Sequence, residues 1–367
     1  MREALAERLL AEVMSWSPED VARERPELQD LASYKYDEYQ QFSTGMHFIE
    51  SLAIWLMNFD DLEERQTAYR FVTKRLVFVS EAEMRHLVSL TYPDHIRPLL
   101  LRQAADELDL PDYAVERIAR SEAFRRSARQ SLFLGLSDGA RIDVFRRMSG
   151  LSNEQVHGTY QLTDEKAKDM LTELRHDLQQ QAGGVGSSAA AFTTLFLLDD
   201  FAGSGDSLLR QEDGRLKGKI SKCLRRLMDS NAETKLLDLS EVKVFLVLYL
   251  ATQQALESLT QRLGELLPKE WPPCQLSVVH VLDHSIRVTP ERDGEFDDLL
   301  AKYYDSSIMD RHLKKGGADV IHGYAECSLP LVLSHNTPNN SVHLLWAGKS
   351  DLKTKPLFPR VSRHRED

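Results

Sequence analysis

Cysteine is scarce in this sequence. The three residues Cys223, Cys274 and Cys327 lie far apart in 367 residues, so there is no CxxC pair for zinc or redox chemistry and no disulfide framework. A reducing compartment is expected. Long apolar runs are also missing: the greasiest stretch, Val244 to Ala251, is too short to cross a bilayer. Residues 1–14 alternate charged and apolar side chains, where a signal peptide has an unbroken apolar core. A cytoplasmic protein with no membrane anchor is the expectation. Nor is there surplus basic charge. Forty-six Lys and Arg against 57 Asp and Glu leave a net charge of -11, which excludes a nucleic-acid coat over the whole surface and leaves local basic patches as the alternative. No GxxxxGK[ST] occurs, so a Walker-type nucleotide site is excluded.

What remains is an ordinary globular mixture, 42% apolar and 28% charged, long enough for two or three domains. The first third has helical periodicity. Phe48, Leu52, Trp55, Leu56 and Phe59 recur at a three-to-four spacing, and Asp60 is placed to cap a second helix carrying Leu62, Ala68, Tyr69, Val72 and Leu76. Ser80 with Glu83 predicts a capping box for a helix to about Leu90, with Pro93 as its breaker and further helices over 96–108 and 112–129. No strand is evident before about residue 130.

Beyond that point short apolar runs alternate with helical stretches. Strands are expected at Ser131–Gly135, Thr194–Leu198, Val244–Leu250, Gln275–Leu282 and Leu329–Leu333, and helices over 163–180, 206–229 (interrupted near Gly214), 253–266 and 295–304. Such alternation predicts an α/β fold with a mainly parallel sheet. The expected organisation is an all-helical domain over 1–125, an α/β domain over 126–348 and a basic tail over 349–367.

The run LFLLDDFAGSGDS, residues 195–207, carries the chemistry. A buried strand ends in Asp199 and Asp200, followed by Ala202, Gly203, Ser204, Gly205, Asp206 and Ser207, with a helix expected to begin near Ser207. Backbone amides at such a turn, backed by a helix N-terminus, suit a phosphate dianion. The aspartates suit the hydroxyls of a ribose and, through water, a magnesium ion. A dinucleotide fingerprint fails here, because Leu208 stands at the third glycine position and the acids precede the glycines. Upstream, Gly135 and the turn Ser137, Asp138, Gly139, Ala140 end in Arg141. Near the C-terminus His335, Asn336, Asn339 and Asn340 follow a strand. Asn side chains there fit either a nucleobase edge or the local turn backbone.

The 195–207 run resembles the phosphoribosyl pyrophosphate loop of type I phosphoribosyltransferases: an apolar strand, two acids, two looser positions, then small and hydroxyl residues ending here in Ser204-Gly205-Asp206-Ser207. Asp206 departs from the pattern by adding negative charge. The resemblance implies that Asp199 and Asp200 hold the ribose hydroxyls, residues 202–207 the 5'-phosphate, and Ser137, Asp138, Gly139 and Arg141 the pyrophosphate, with magnesium as cofactor. It also implies a flexible catalytic loop, for which residues 148–162 and Gly183–Ser188 are both candidates. Over roughly residues 46–360, with the helices from Trp55 to Ser80, the HNTPNN segment and the late PLFPR, the chain is similar to phosphoribosyltransferase-like proteins of bacterial conflict systems, including those encoded beside retron reverse transcriptases. That similarity implies an anti-phage effector partnered by a reverse transcriptase and its RNA–DNA. The rival expectation is a non-enzymatic regulator or scaffold that binds phosphoribosyl pyrophosphate, a nucleotide or nucleic acid. A recognition helix rich in Arg and Asn within 1–125 would favour it, and none is seen.

Weaker signals are read more plainly. Arg215, Lys219, Lys222 and Arg226 would share one helix face, as a solvated surface or a nucleic-acid contact. His280 and His284 have no third ligand nearby and are read as ordinary histidines instead of a metal site.

Overall fold

The computed structural model describes residues 3–181, 190–348 and 354–360. The Gly183–Ser188 loop candidate and most of the tail from Lys349 lie outside the described residues. The chain forms two compact units, Met1–Met84 with His284–Asp367, and Arg85–Asp283. Residue 125 falls within the helix Glu122–Arg129 of the second unit. Among the described residues the strands are β1 (Val77–Val79), β2 (Ser131–Gly135), β3 (Val156–His157), β4 (Thr194–Ala202), β5 (Arg210–Glu212), β6 (Arg215–Lys217), β7 (Lys243–Thr252), β8 (Cys274–Leu282) and β9 (Leu331–Leu333).

The second unit is α/β. Its five-stranded sheet runs β3-β2-β4-β7-β8 with every neighbouring pair parallel. Parallel neighbours need long crossovers, supplied here by the helices Ile142–Ser149, Asp164–Gln181, Lys219–Thr234 and Gln253–Glu265. Because helices cover such a sheet, its inner strands read as continuous apolar runs: in TLFLLDDFA of β4 every residue but Phe201 is buried. Phe133, Phe196 and Phe245 are register partners on adjacent strands, and their rings stack at 4.9 and 5.1 Å between centroids. Counted along the chain, the strand order is 2-1-3-4-5. It reverses between β2 and β4, and ligands of open α/β sheets collect at the carboxyl ends of the strands at such a reversal.

The first unit is mainly helical. Phe71 of helix Leu62–Lys74 stacks on Phe296 of helix Pro290–Lys302 at 3.7 Å, and the buried Trp55 indole donates to the Leu344 carbonyl at 2.9 Å. The Ser80–Glu83 capping box forms as read, with both bonds present at 2.7 and 3.1 Å.

Several expectations are corrected. A short strand does precede residue 130: β1 pairs in parallel with β9, so Leu331–Leu333 leaves the main sheet for a two-stranded one. The cap of helix Leu62–Lys74 is Asp61, which accepts from the Glu64 amide at 3.0 Å, and not Asp60. Pro93 does not break its helix. It sits in a π-helical segment, Thr91–Ile96, that continues into Arg97–Leu108; the wider π turn accommodates a residue with no N–H to donate. Residues 112–129 split into Val115–Ala119 and Glu122–Arg129, where Ser121 caps the second helix. Over 206–229 the first half is the hairpin β5–β6. Its Asp213-Gly214 link has φ of 52° and 68°, the positive values of a two-residue hairpin turn.

Candidate active site

Two turns and an acid pair meet at the carboxyl ends of β2 and β4. After β2, Leu136 still donates to Leu198 at 2.9 Å. Ser137 is extended, Asp138–Ala140 make one 3-10 turn, and Arg141 takes a left-handed φ of 46° before helix Ile142–Ser149. Two side chains from the sheet hold this turn. The buried Tyr249 hydroxyl of β7 donates to the Ala140 carbonyl at 2.7 Å, and the Ser137 hydroxyl donates to Asp199 Oδ1.

Asp199 and Asp200 lie towards the carboxyl end of β4, the central strand, as expected. Asp199 is fully buried and Asp200 is 8% exposed. The second oxygen of Asp199 pairs with the Lys219 ammonium at 2.5 Å. Burial pushes the Asp199 carboxyl up to about 6; Lys219 opposes the rise, and the neighbouring Asp200 charge adds to it. Asp200 lies against Gly139, where a Cβ would stand 2.7 Å from the Asp200 Cγ. The Tyr249 hydroxyl is held well above its usual range by burial and then by the charges of Asp199 and Asp200, with Arg141 opposing. Both acids, Arg141 and Tyr249 therefore share one electrostatic neighbourhood.

The second turn is fixed from the opposite side. Thr252 caps helix Gln253–Glu265 by accepting from the Ala255 amide at 2.9 Å, while its hydroxyl donates to the Gly203 carbonyl at 2.5 Å. Gly205 has a φ of 81°, and a Cβ there would stand 2.8 Å from Leu259, so the position admits glycine alone without strain. The added charge of Asp206 is met by Arg262 at 2.6 Å. The helix expected at Ser207 is displaced. One turn at Leu208 and Leu209 leads into the β5–β6 hairpin, and the helix begins at Lys219. Its first amides return to the turn, Lys219 donating to Ser207 and Ile220 to Leu208, each at 3.0 Å.

The basic stripe does not form as expected. Arg215 belongs to β6, Lys219 is in the site, and only Lys222 and Arg226 are left, exposed on the helix with Arg225. Lys219 is the site residue that periodicity missed. A lysine at the first position of a helix opposes the helix dipole, so an acid partner was to be sought for it.

Asp138 is exposed on its turn. Asn336, Asn339 and Asn340 belong to the first unit. There Asn336 accepts from the Thr337 amide at 3.0 Å, Asn340 donates to the Tyr324 carbonyl at 3.1 Å and reaches Cys327 Sγ at 3.2 Å, and the Asn339 carbonyl accepts from Tyr324 at 2.6 Å. The side chains of Asn336 and Asn340 are thus engaged within this unit. The loop candidate 148–162 contains β3 and is tied down by Gln155, whose amide donates to the Ala128 and Ser131 carbonyls at 2.7 and 2.9 Å.

Among the described residues no three His, Cys, Asp or Glu side chains cluster as metal ligands. Asp199 is fully buried, with one oxygen on Ser137 and the other on Lys219, which leaves Asp200, 8% exposed, as the more accessible carboxylate for a hydrated magnesium ion.

The family model PRTase-CE matches residues 52–360. No match was found among curated proteins or among solved structures. The family match takes in sequence from both compact units, and the chain accordingly belongs to the PRTase-CE family of phosphoribosyltransferase-like proteins.

Proposed function

We propose that the protein transfers ribose 5-phosphate from phosphoribosyl pyrophosphate to a nitrogen of a base or related acceptor. The observation that carries this reading is the meeting of Asp200, the Ser137–Arg141 turn and the Gly203–Ser207 turn at the reversal of strand order. The glycine turn would take the 5'-phosphate, Asp200 the ribose hydroxyls, and Arg141 the pyrophosphate, whose negative charge grows as the anomeric bond breaks. A carboxylate beside the sugar stabilises the oxocarbenium-like state electrostatically. Magnesium, which the resemblance implies, would arrive with the pyrophosphate and would not be bound by Asp199.

Such an enzyme would act as the effector of a retron-type anti-phage system, held inactive by a reverse transcriptase with its RNA–DNA and released on infection. Among the described residues no helix is long and apolar enough to cross a membrane. One observation favours a second reading, a non-enzymatic binder or scaffold: Asp199 is already closed off by Lys219 and Ser137. Incubating the purified protein with phosphoribosyl pyrophosphate, magnesium and a panel of bases separates the two. Pyrophosphate release with a ribosylated product supports transfer, whereas binding with no product supports the scaffold.

A further inference from the structure

Lys219 occupies a costly position. It is the first residue of helix Lys219–Thr234, where a cation opposes the dipole. Its amide is fixed to the Ser207 carbonyl at 3.0 Å, and its side chain reaches back to β4 with the ammonium 2.5 Å from Asp199 Oδ2. The Asp199 side chain is fully buried while that of Lys219 is 25% exposed, so the pair joins the interior to the site rim. The other Asp199 oxygen accepts from Ser137. A continuous chain therefore runs from the end of the glycine turn through Lys219 and Asp199 to the start of the Ser137–Arg141 turn. Removing one partner of a buried ion pair leaves the other charge uncompensated, a large penalty that the carboxylate escapes by taking a proton or by shifting. Either response loosens its hold on Ser137.

We infer that Lys219 is a positioning residue: through Asp199 and Ser137 it holds the Ser137–Arg141 turn in the shape that receives a pyrophosphate group, and Asp200 is the acid that meets the sugar. The assignment of that ligand rests on the phosphoribosyl-transfer reading; the mechanical link does not. Asp199 is then a strut and not a substrate contact.

The test uses the full-length protein and the variants Lys219→Met and Lys219→Arg. Amide hydrogen exchange over residues 136–141 reads the turn without any ligand, and calorimetry with inorganic pyrophosphate and with ribose 5-phosphate reads its two neighbours separately. In Lys219→Met, exchange over 136–141 should quicken by about tenfold or more while β4 and β7 keep their protection. Pyrophosphate affinity should fall about tenfold, with ribose 5-phosphate affinity changed less than about twofold. Lys219→Arg should restore most of both. Unchanged exchange over 136–141, or equal loosening of β4 and β7, overturns the positioning role. Faster exchange over 136–141 in a protein whose wild type binds neither probe keeps the positioning role and rejects the phosphoribosyl reading.

Discussion

The Asp200 carboxylate stands where a side chain on Gly139 would be, since a Cβ built at Gly139 lies 2.7 Å from Asp200 Cγ. The relationship joins the acid pair to the Ser137–Arg141 turn through one missing methyl group. Gly139→Ala should push the turn or the carboxylate aside, at a cost of about 1–3 kcal/mol for the overpacked contact. Pyrophosphate release should drop by about 10²-fold, because a displacement near 1 Å at the reacting centre has that effect. Circular dichroism should show the fold retained.

Tyr249→Phe removes the hydroxyl that satisfies the Ala140 carbonyl. With that buried acceptor left alone, stability should fall by about 1–3 kcal/mol. A lower denaturant midpoint with unchanged m-value would record it.

The pairing of Arg262 with Asp206 explains how an acid is tolerated beside the proposed phosphate turn. Arg262→Met should remove this compensation and lower ribose 5-phosphate affinity by about three- to tenfold. Adding Asp206→Asn to the same protein should restore the affinity, as titration calorimetry of the double variant would show.

His343 supplies a pH-dependent stability in the first unit. Burial lowers its imidazole to about 4, although its ring nitrogen donates to the Leu300 carbonyl at 2.9 Å. In the unfolded chain it titrates near 6.5, so between those values the unfolded state binds the extra proton. The contribution of the neutral ring is therefore complete above about pH 6.5 and is lost as the pH falls towards about 4, by about 3 kcal/mol in all. The stability difference between wild type and His343→Gln, measured by denaturant unfolding across that range, should shrink as the pH falls.

The parts of the fold legible in sequence were those written in local patterns. The apolar runs of β2, β4, β7 and β8 are long enough to be seen, and Asp199 and Asp200 stand out because two acids rarely end a buried strand. What stayed hidden depends on distant partners. β1 and β9 are three residues each and become strands only by pairing across more than 250 positions of chain. Lys219 sits on a helical spacing shared with Lys222 and Arg226, and only the fold turns its side chain to Asp199. The Asp213-Gly214 hairpin was available as a local signal, but helical periodicity on either side outweighed it. The separation of Asn336, Asn339 and Asn340 into the first unit depends on how the chain returns after residue 283, which no local pattern records.

The most direct test of the proposed chemistry is magnesium-dependent pyrophosphate release from phosphoribosyl pyrophosphate, measured on wild type, Asp199→Asn and Asp200→Asn with an accepted base and any activating partner. Asn keeps the size of the side chain and, at Asp200, removes the charge proposed to face a developing oxocarbenium ion. The account predicts release by wild type, loss of about 10²-fold or more in Asp200→Asn with ligand binding retained, and a smaller loss in Asp199→Asn accompanied by weaker pyrophosphate binding. Full activity in both variants would contradict it.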